Sequence, residues 1–496
     1  MVKTVTGEES HLTAFETQLS QSGVPVQVGL AVGKLNADLD RGYVFGLIPT
    51  PPNDHGQPAC ALLEGGPDKR KPSKGKPPKD SAPSLEIDIG WVAEHARQVS
   101  KMLLGSIHVV GIYVWAGESS FKASSVELWQ TAKAVSAASP FHKECNPIER
   151  ILIHISYSPR RWSCRNCILS SSSFASTSFH PCDFKTGKIL SGLQAFRCVY
   201  NFEMRIPLSY KDASNQNTCK DAIHKGITRH AAVLKDAQAL VDGNLIYDGQ
   251  TCSSDGMHEV ELLLPFMNGR LTDACSGSEI AGLLVFSGSV YASTYLNPKE
   301  SIAQAISDIK ADIITSLRSR LDIVSDEAEQ MMPVDSSDSS RIDDDSSHAK
   351  SVHPLLSFDL RKPFSFSFPR RVLLPWLDGI FICDYLQPFE EFKDTKERCK
   401  ELMSMDVVSD IEFLEPETTA TASVAKSFWD VVLDCSRSVT NQSKGDKKVR
   451  LTEESNSTMS KFLHWNIVTA GIFLLLSVTV GVWMLFLSND HKSQTI

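Results

Sequence analysis

A chain of 496 residues with 42% apolar content can bury two or three cores, which excludes a short peptide or a wholly disordered protein. Its formal net charge of −9 removes any general electrostatic reason to bind nucleic acid, and none is expected as a partner. The 12 cysteines are scattered from Cys60 to Cys435 and the opening MVKTVTGEES has no apolar signal segment, so they read as free thiols rather than a disulfide framework.

In chain order, a weakly amphipathic segment around Leu12 to Leu19 reads as a helix. Val24 to Gly33 is an apolar, β-branched run and reads as a buried strand, followed by a turn from Asn36 to Gly42. Tyr43 to Ile48 reads as its partner strand, stopped by Pro49, Pro51 and Pro52. Residues 53–84 turn to Pro, Lys and Gly, which predicts a disordered insertion. From Asp88 to Leu104, Trp91, Val92, His95, Val99, Met102 and Leu103 share one helical face, with Gly105 as the stop. On that face His95 is expected to be a hydrogen-bonded core residue. Ile107 to Trp115 reads as a central strand, Ser124 and Glu127 as a capping box for a helix towards Ala138, and Ile151 to Tyr157 as another strand. Strand, strand, helix, strand, helix, strand is a mixed α/β pattern.

Beyond it, Ser156 to Phe179 is Ser-rich, Asp183 to Ile189 suggests a hairpin turn at Thr186-Gly187, and Leu193 to Pro207 alternates like a strand. Asp221 to Gln238 reads as a helix, and Ile280 to Tyr291 as an apolar strand. Ile302, Ile306, Ile309, Ile313, Leu317 and Leu321 form one helical stripe. These segments divide the chain into a body over 1–324, an acidic Ser-rich linker over 325–350, and a Phe- and Pro-rich block over 351–415. That block is too small to fold alone and is expected to pack on the body. A polar stalk follows over 416–465, with a short helix from Lys426 to Val439.

Residues 466–487 carry no charged side chain, and at about 1.5 Å per residue they match a bilayer core of about 30 Å. Ile467, Phe473, Leu475, Trp483 and Leu487 are the expected lipid contacts, with a short tail over 488–496. Lys447, Lys448 and Arg450 lie upstream, which predicts a single-pass, tail-anchored protein with its body in the cytosol.

Chemistry is sparse. Cys164 and Cys167, with His180 and Cys182 downstream, are the candidate zinc ligands, since zinc takes Cys and His tetrahedrally. The one-residue gap between His180 and Cys182 is unusual for such a site, and a redox C-x-x-C would sit at a helix N-terminus after a strand. G-x-x-x-x-G-K-[ST], G-x-S-x-G and H-E-x-x-H are all absent from the sequence. No cofactor and no enzymatic activity are expected. A zinc-dependent or thiol enzyme built on Cys164 and Cys167 is the alternative.

Gly29-Leu-Ala-Val-Gly33, Trp91 to Met102 and Val109-Val-Gly-Ile-Tyr113 resemble the odorant-response-abnormal protein four family. Pro181 to Lys185, Arg205 to Leu208, Arg371 to Pro375 and Cys383-Asp-Tyr385 extend the resemblance over about Gln27 to Glu415. The family also resembles, more distantly, the MPN fold. What the resemblance implies is an α/β (α+β) MPN-like body lacking the catalytic ligands, since Val26, Gln27 and Val28 stand before Gly29 and Val114 to Glu118 stand where zinc-binding histidines would follow. It further implies the endoplasmic reticulum membrane, a partnership with a ubiquitin-fold-modifier-specific protease, and multi-pass membrane-protein clients. The expected function is a non-catalytic scaffold that recruits that protease, with a receptor-export adaptor as the other reading. Gly29, Leu30, Gly33, Trp91, His95 and Val99 are the candidate docking residues.

Overall fold

The computed structural model describes residues 2–36, 39–63, 83–141, 149–169, 178–209, 216–246, 249–251, 256–265, 280–330, 364–366, 368–387, 389–405, 417 and 423–427. Its first part is a closed barrel. β1 (Thr4–Glu8), β2 (Gln27–Asn36), β3 (Arg41–Pro49), β6 (His108–Trp115), β7 (Glu149–Tyr157), β8 (Arg160–Ile168) and β9 (Phe179–Gly187) join in the order β1-β3-β2-β6-β7-β8-β9. β9 closes the ring by pairing parallel to β1, from Thr4 opposite Asp183 to Glu8 opposite Gly187. Outside the ring, β4 (Cys60–Leu63) and β5 (Ser84–Ile87) pair as a small ribbon.

Because strand side chains alternate, every barrel strand but β1 feeds two cores. One cluster takes Val5, Ala31, Val44, Val110, Ile151, Cys164 and Cys182, a residue from every barrel strand, as an interior requires. Helix α1 (Glu9–Ser22) adds Leu12 and Leu19 to it. The opposite parity, Val28, Leu30, Val32 and Val109, packs outward against α2 (Ile89–Met102) and α4 (Ser125–Ala138). The short α3 (Glu118–Ala123) precedes α4 directly, and this displaces the expected capping box. Ser124 Oγ donates to Ser120 O at 2.9 Å and accepts from Leu85 N at 2.6 Å, so its side chain serves α3 and β5 rather than α4.

The second part is a seven-stranded sheet in the order β12-β11-β13-β10-β14-β18-β15. Its spine is β10 (Gln194–Ser209) antiparallel to β14 (Ile280–Leu296). β11 (Gln238–Val241), β12 (Asn244–Leu245) and β13 (Met257–Leu263) extend one side, while β15 (Phe364–Phe366) and β18 (Ser423–Ser427) extend the other. Phe196, Cys198, Tyr200, Phe202, Met204 and Ile206 all point to one side of β10. There they meet α5 (Gln216–Asp236) and α6 (Ile302–Gln330), whose stripe Ile309, Ile313, Leu317 and Leu321 is fully buried.

A third piece, the hairpin of β16 (Arg370–Leu377) and β17 (Ile380–Leu386) followed by α7 (Phe392–Met403), packs on the barrel's outer core through Val372, Leu374, Ile382, Cys399 and Met403.

Two expectations are corrected. A closed seven-stranded barrel joined to a separate mixed sheet replaces the MPN-like α/β body with a transmembrane helix. The cause is non-local: β1 and β9 each complete the ring by pairing with a strand distant in sequence, which no run of apolar residues announces. Among the described residues no helix is long and apolar enough to cross a membrane. The longest, α6, carries Asp308, Lys310 and Asp312 within its stripe. The expected span over 466–487, with Ile467, Phe473, Leu475, Trp483 and Leu487, lies outside the described residues, as do 64–82 of the expected insertion over 53–84 and 331–350 of the expected linker over 325–350. The rest of those two stretches is ordered in part, with β4 at Cys60–Leu63 and α6 running to Gln330. The placement as a single-pass endoplasmic reticulum membrane protein is therefore withdrawn.

Candidate functional site

The expected docking residues are core. Leu30 and Val99 are fully buried, Gly29 and Gly33 are buried on β2, and only Trp91 is half-buried. Trp91 Nε1 donates to Pro51 O at 2.8 Å. His95, 3% exposed, lies 3.2 Å from Thr50 Oγ1 through Nδ1 and 2.8 Å from Leu402 O through Nε2. Burial pushes its pKa down, against the Leu402 carbonyl that raises it. This imidazole fastens α7 to α2 and β3. Leu30 and Val99 belong to the barrel's outer core, Trp91 packs against it, and Gly29, Gly33 and His95 are buried.

The cysteine constellation is split by the strand it occupies. Cys164 and Cys167 both lie on β8, and three residues along a strand is an odd step, so their side chains leave opposite faces. Cys164 and Cys182 belong to the interior cluster, whereas Cys167 belongs to the outer one. His180 pairs with Asn166 and Cys182 with Cys164. Among the described residues no group of three or more His, Cys, Asp or Glu is placed to hold a metal ion.

The polar groups that the structure does gather lie where barrel, sheet and hairpin meet. Asp312 on α6 accepts both guanidinium arms of Arg371, at 2.8 and 3.0 Å, and its oxygens also take Gly105 N at 3.1 Å and Ser293 N at 3.3 Å. Arg371 Nη1 reaches Tyr291 O at 2.8 Å. Beside it Arg320 donates to Glu417, which accepts Tyr291 N and Arg371 N, each at 2.8 Å. Tyr385 lies between the two guanidinium groups, 5.5 and 5.7 Å from its ring. All four charged side chains are buried. Such pairs cost desolvation energy, so their return is geometric: they fix one arrangement of three pieces. A second tie joins Lys34 on β2 to Glu300 at 2.9 Å, and Asn36 Nδ2 donates to the same carboxylate at 2.7 Å. Beside this tie a cleft of about 870 Å³ opens between barrel and sheet, lined by Leu35, Phe141, Ile246, Ile306 and Lys310 among others. Lys310 Nζ is occupied there by Lys235 O and Ala237 O at the end of α5.

Sequence reasoning missed this junction. Its one visible signal is a charged residue inside an apolar pattern: Asp312 between Ile309 and Ile313, and Arg371 before Val372-Leu-Leu374.

The other distinctive surface is the outer side of the second sheet. Val199 is 55%, Met257 62% and Leu263 44% exposed. Arg197 and Glu259, directly opposite across β10 and β13, stand on the same face.

Most of this architecture falls within one family model, with β1, α1, Glu417 and β18 outside it. Residues 29–412 match the model described as ODR4-like, Odorant response abnormal 4-like. The chain belongs to the odorant response abnormal 4-like family. Its relatives include the protein odr-4 homologs of Mus musculus (22% identical over 440 residues, covering 83% of this chain and 86% of that one) and Homo sapiens (22% over 439, 84% and 86%). That of Dictyostelium discoideum is 24% identical over 371 residues, covering 73% of this chain and 71% of its own. A crystal structure of UfSP from C. elegans aligns with a TM-score of 0.36 at 8% identity, over 83% of this chain and 58% of that one. This chain therefore spans under two thirds of that protein, and so loose a likeness carries no argument. The resemblance read from Gly29-Leu-Ala-Val-Gly33, Trp91 to Met102 and Arg371 to Pro375 is thus a family membership, and those stretches contribute to both barrel cores and to the junction.

Proposed function

We propose that this chain is a non-catalytic adaptor whose folded body holds a ubiquitin-fold-modifier-specific protease. The observation that carries the reading is the family match across 29–412, which takes in the hairpin and most of the barrel and of the second sheet. The class of partner comes from what the family resemblance implies. Room for a partner is supplied by the outer face of β10 and β13, where Val199, Met257 and Leu263 stand exposed among Arg197, Glu203, Arg205, Glu259 and Glu261. An adaptor needs a firm body rather than a reactive group, and the buried ties between barrel, sheet and hairpin suit that role.

The test is direct binding of the purified full-length chain to the purified protease. A saturable complex is expected, with no release of the modifier by the chain alone. Absence of a complex at micromolar concentration, or hydrolysis by the isolated chain, overturns the reading.

A further inference from the structure

Across β8 and β9, Cys164 stands directly opposite Cys182, and the two side chains share the barrel's interior face. Directly opposed residues of an antiparallel pair have Cα atoms about 4.5–5.5 Å apart, inside the range of about 4.4–6.8 Å that a disulfide spans. Cys182 Sγ donates to Val2 O at 3.1 Å, which holds it beside β1 on the face it shares with Cys164. The two differ in access: Cys164 is 3% exposed and Cys182 half-buried. They also differ in acidity, each thiol acting on its neighbour so that the Cys182 pKa is drawn down and that of Cys164 pushed up.

We propose that Cys164 and Cys182 form a peroxide-oxidisable pair that closes to a disulfide between β8 and β9, with Cys182 the attacking sulfur and Cys164 the resolving one. The thiolate of Cys182 attacks one oxygen of hydrogen peroxide. The O–O bond breaks, hydroxide leaves and takes up a proton, and a sulfenic acid remains. The sulfur of Cys164 then attacks Cys182 Sγ, the S–O bond breaks, water leaves and the S–S bond forms. In sum two thiols lose two hydrogens and one peroxide becomes two waters. The bond braces β9, the strand that closes the ring on β1 through Val5 opposite Phe184 and its neighbours. Cys167, on the other face of β8 and fully buried, takes no part. This pairing differs from the C-x-x-C reading in chemistry and in partner, and it stands independently of the adaptor reading.

The experiment treats the purified full-length chain with hydrogen peroxide and maps the product by mass spectrometry without reduction. The expected product is a cross-linked peptide pair joining residues 164 and 182, lighter by two hydrogens and reversed by thiol reductant, with a raised melting temperature. Cys167→Ser retains the cross-link and Cys182→Ser loses it. Oxidation of Cys182 to sulfinic or sulfonic acid without a cross-link, or a bridge that includes Cys167, overturns the proposal. Mapping on the unsubstituted chain keeps the test valid even if a serine variant folds poorly.

Discussion

Asp312 and Arg371 illustrate what one pair of side chains does in this molecule. Each is fully buried, and each satisfies backbone groups of a different piece: Asp312 takes Gly105 N from the barrel side and Ser293 N from β14, while Arg371 reaches Tyr291 O. Removing one partner strands the other charge in a dry site, which costs about 3–5 kcal/mol. Asp312→Leu is therefore expected to destabilise the chain by that order, measured by chemical denaturation. The double variant Asp312→Leu with Arg371→Leu is expected to lose less than Arg371→Leu and Asp312→Leu added together, because neither charge is then left alone. A simple sum would show that the pair is not coupled.

Three histidines set the acid limb of stability. His95, His154 and His230 each have a pKa lowered by burial, from an ordinary value of 6.5. A base with a depressed folded pKa binds protons more readily when unfolded, so stability is present above the unfolded value and falls as pH drops from about 6.5 through the folded one. Melting temperature is expected to decline on acidification from pH 7.5 to 5. His95→Gln, which keeps polar atoms near Thr50 and Leu402, is expected to flatten the decline while lowering the plateau. An unchanged slope would assign the acid limb elsewhere.

At the scale of elements, the barrel depends on close backbone approaches that only glycine permits, the two tightest at Gly111 and Gly33. A Cβ at Gly111 on β6 would lie 1.8 Å from Ile151 O of the neighbouring strand, and one at Gly33 on β2 would lie 1.9 Å from Tyr43 O. Both sit beside register shifts, where β2 skips Val110 of β6 and Phe45 of β3. Gly111→Ala must displace backbone and is expected to cost about 1–3 kcal/mol or more. Gly192→Ala, whose Cβ meets nothing within 4 Å, is expected to be near neutral, and urea melts of the two variants make the comparison.

The same scale explains what the sequence disclosed. β2, β6 and β7 were legible because both their faces are buried, so they read as continuous apolar runs. The stripe of α6 and the inward alternation of β10 were legible for the corresponding reasons of period. β8 was not, since Arg160-Arg-Trp-Ser-Cys-Arg-Asn-Cys-Ile168 has a half-exposed pattern and its C-x-x-C invites a metal reading. β9 holds Pro181 and Gly187 and read as a turn, because its partner β1 lies at the other end of the barrel sequence. Helix α7 is mostly charged, and its signal was a capping box with Glu391 in place of the usual Ser or Thr, Asp394 accepting Glu391 N at 2.9 Å. The junction was illegible for a different reason. Buried ion pairs are defined by partners far apart in the chain, and a single charged residue in an apolar run has no unique reading.

At the scale of the whole molecule, the apolar stock is spent unevenly. The barrel is covered on its outer side by α2, α4 and the hairpin, and its inner cluster is completed by one face of α1, whereas the second sheet has helices on one side only. The uncovered side of β10 and β13 is thus the place where a partner can add contact without disturbing a core. Val199, Met257 and Leu263 are exposed there, so changing them costs the fold little, and an effect on binding can be separated from an effect on stability. Val199→Asp combined with Met257→Asp is expected to leave the melting temperature within about 2 °C of the parent, as surface substitutions do. If this face seats the protease, the same pair puts two unpaired charges into the interface and weakens binding by at least about tenfold, equivalent to about 1.4 kcal/mol. Titration of the protease against parent and variant, with melting curves run on both, checks the two halves together. Undiminished binding by a variant of unchanged stability would move the docking surface off this sheet while leaving the adaptor reading in place.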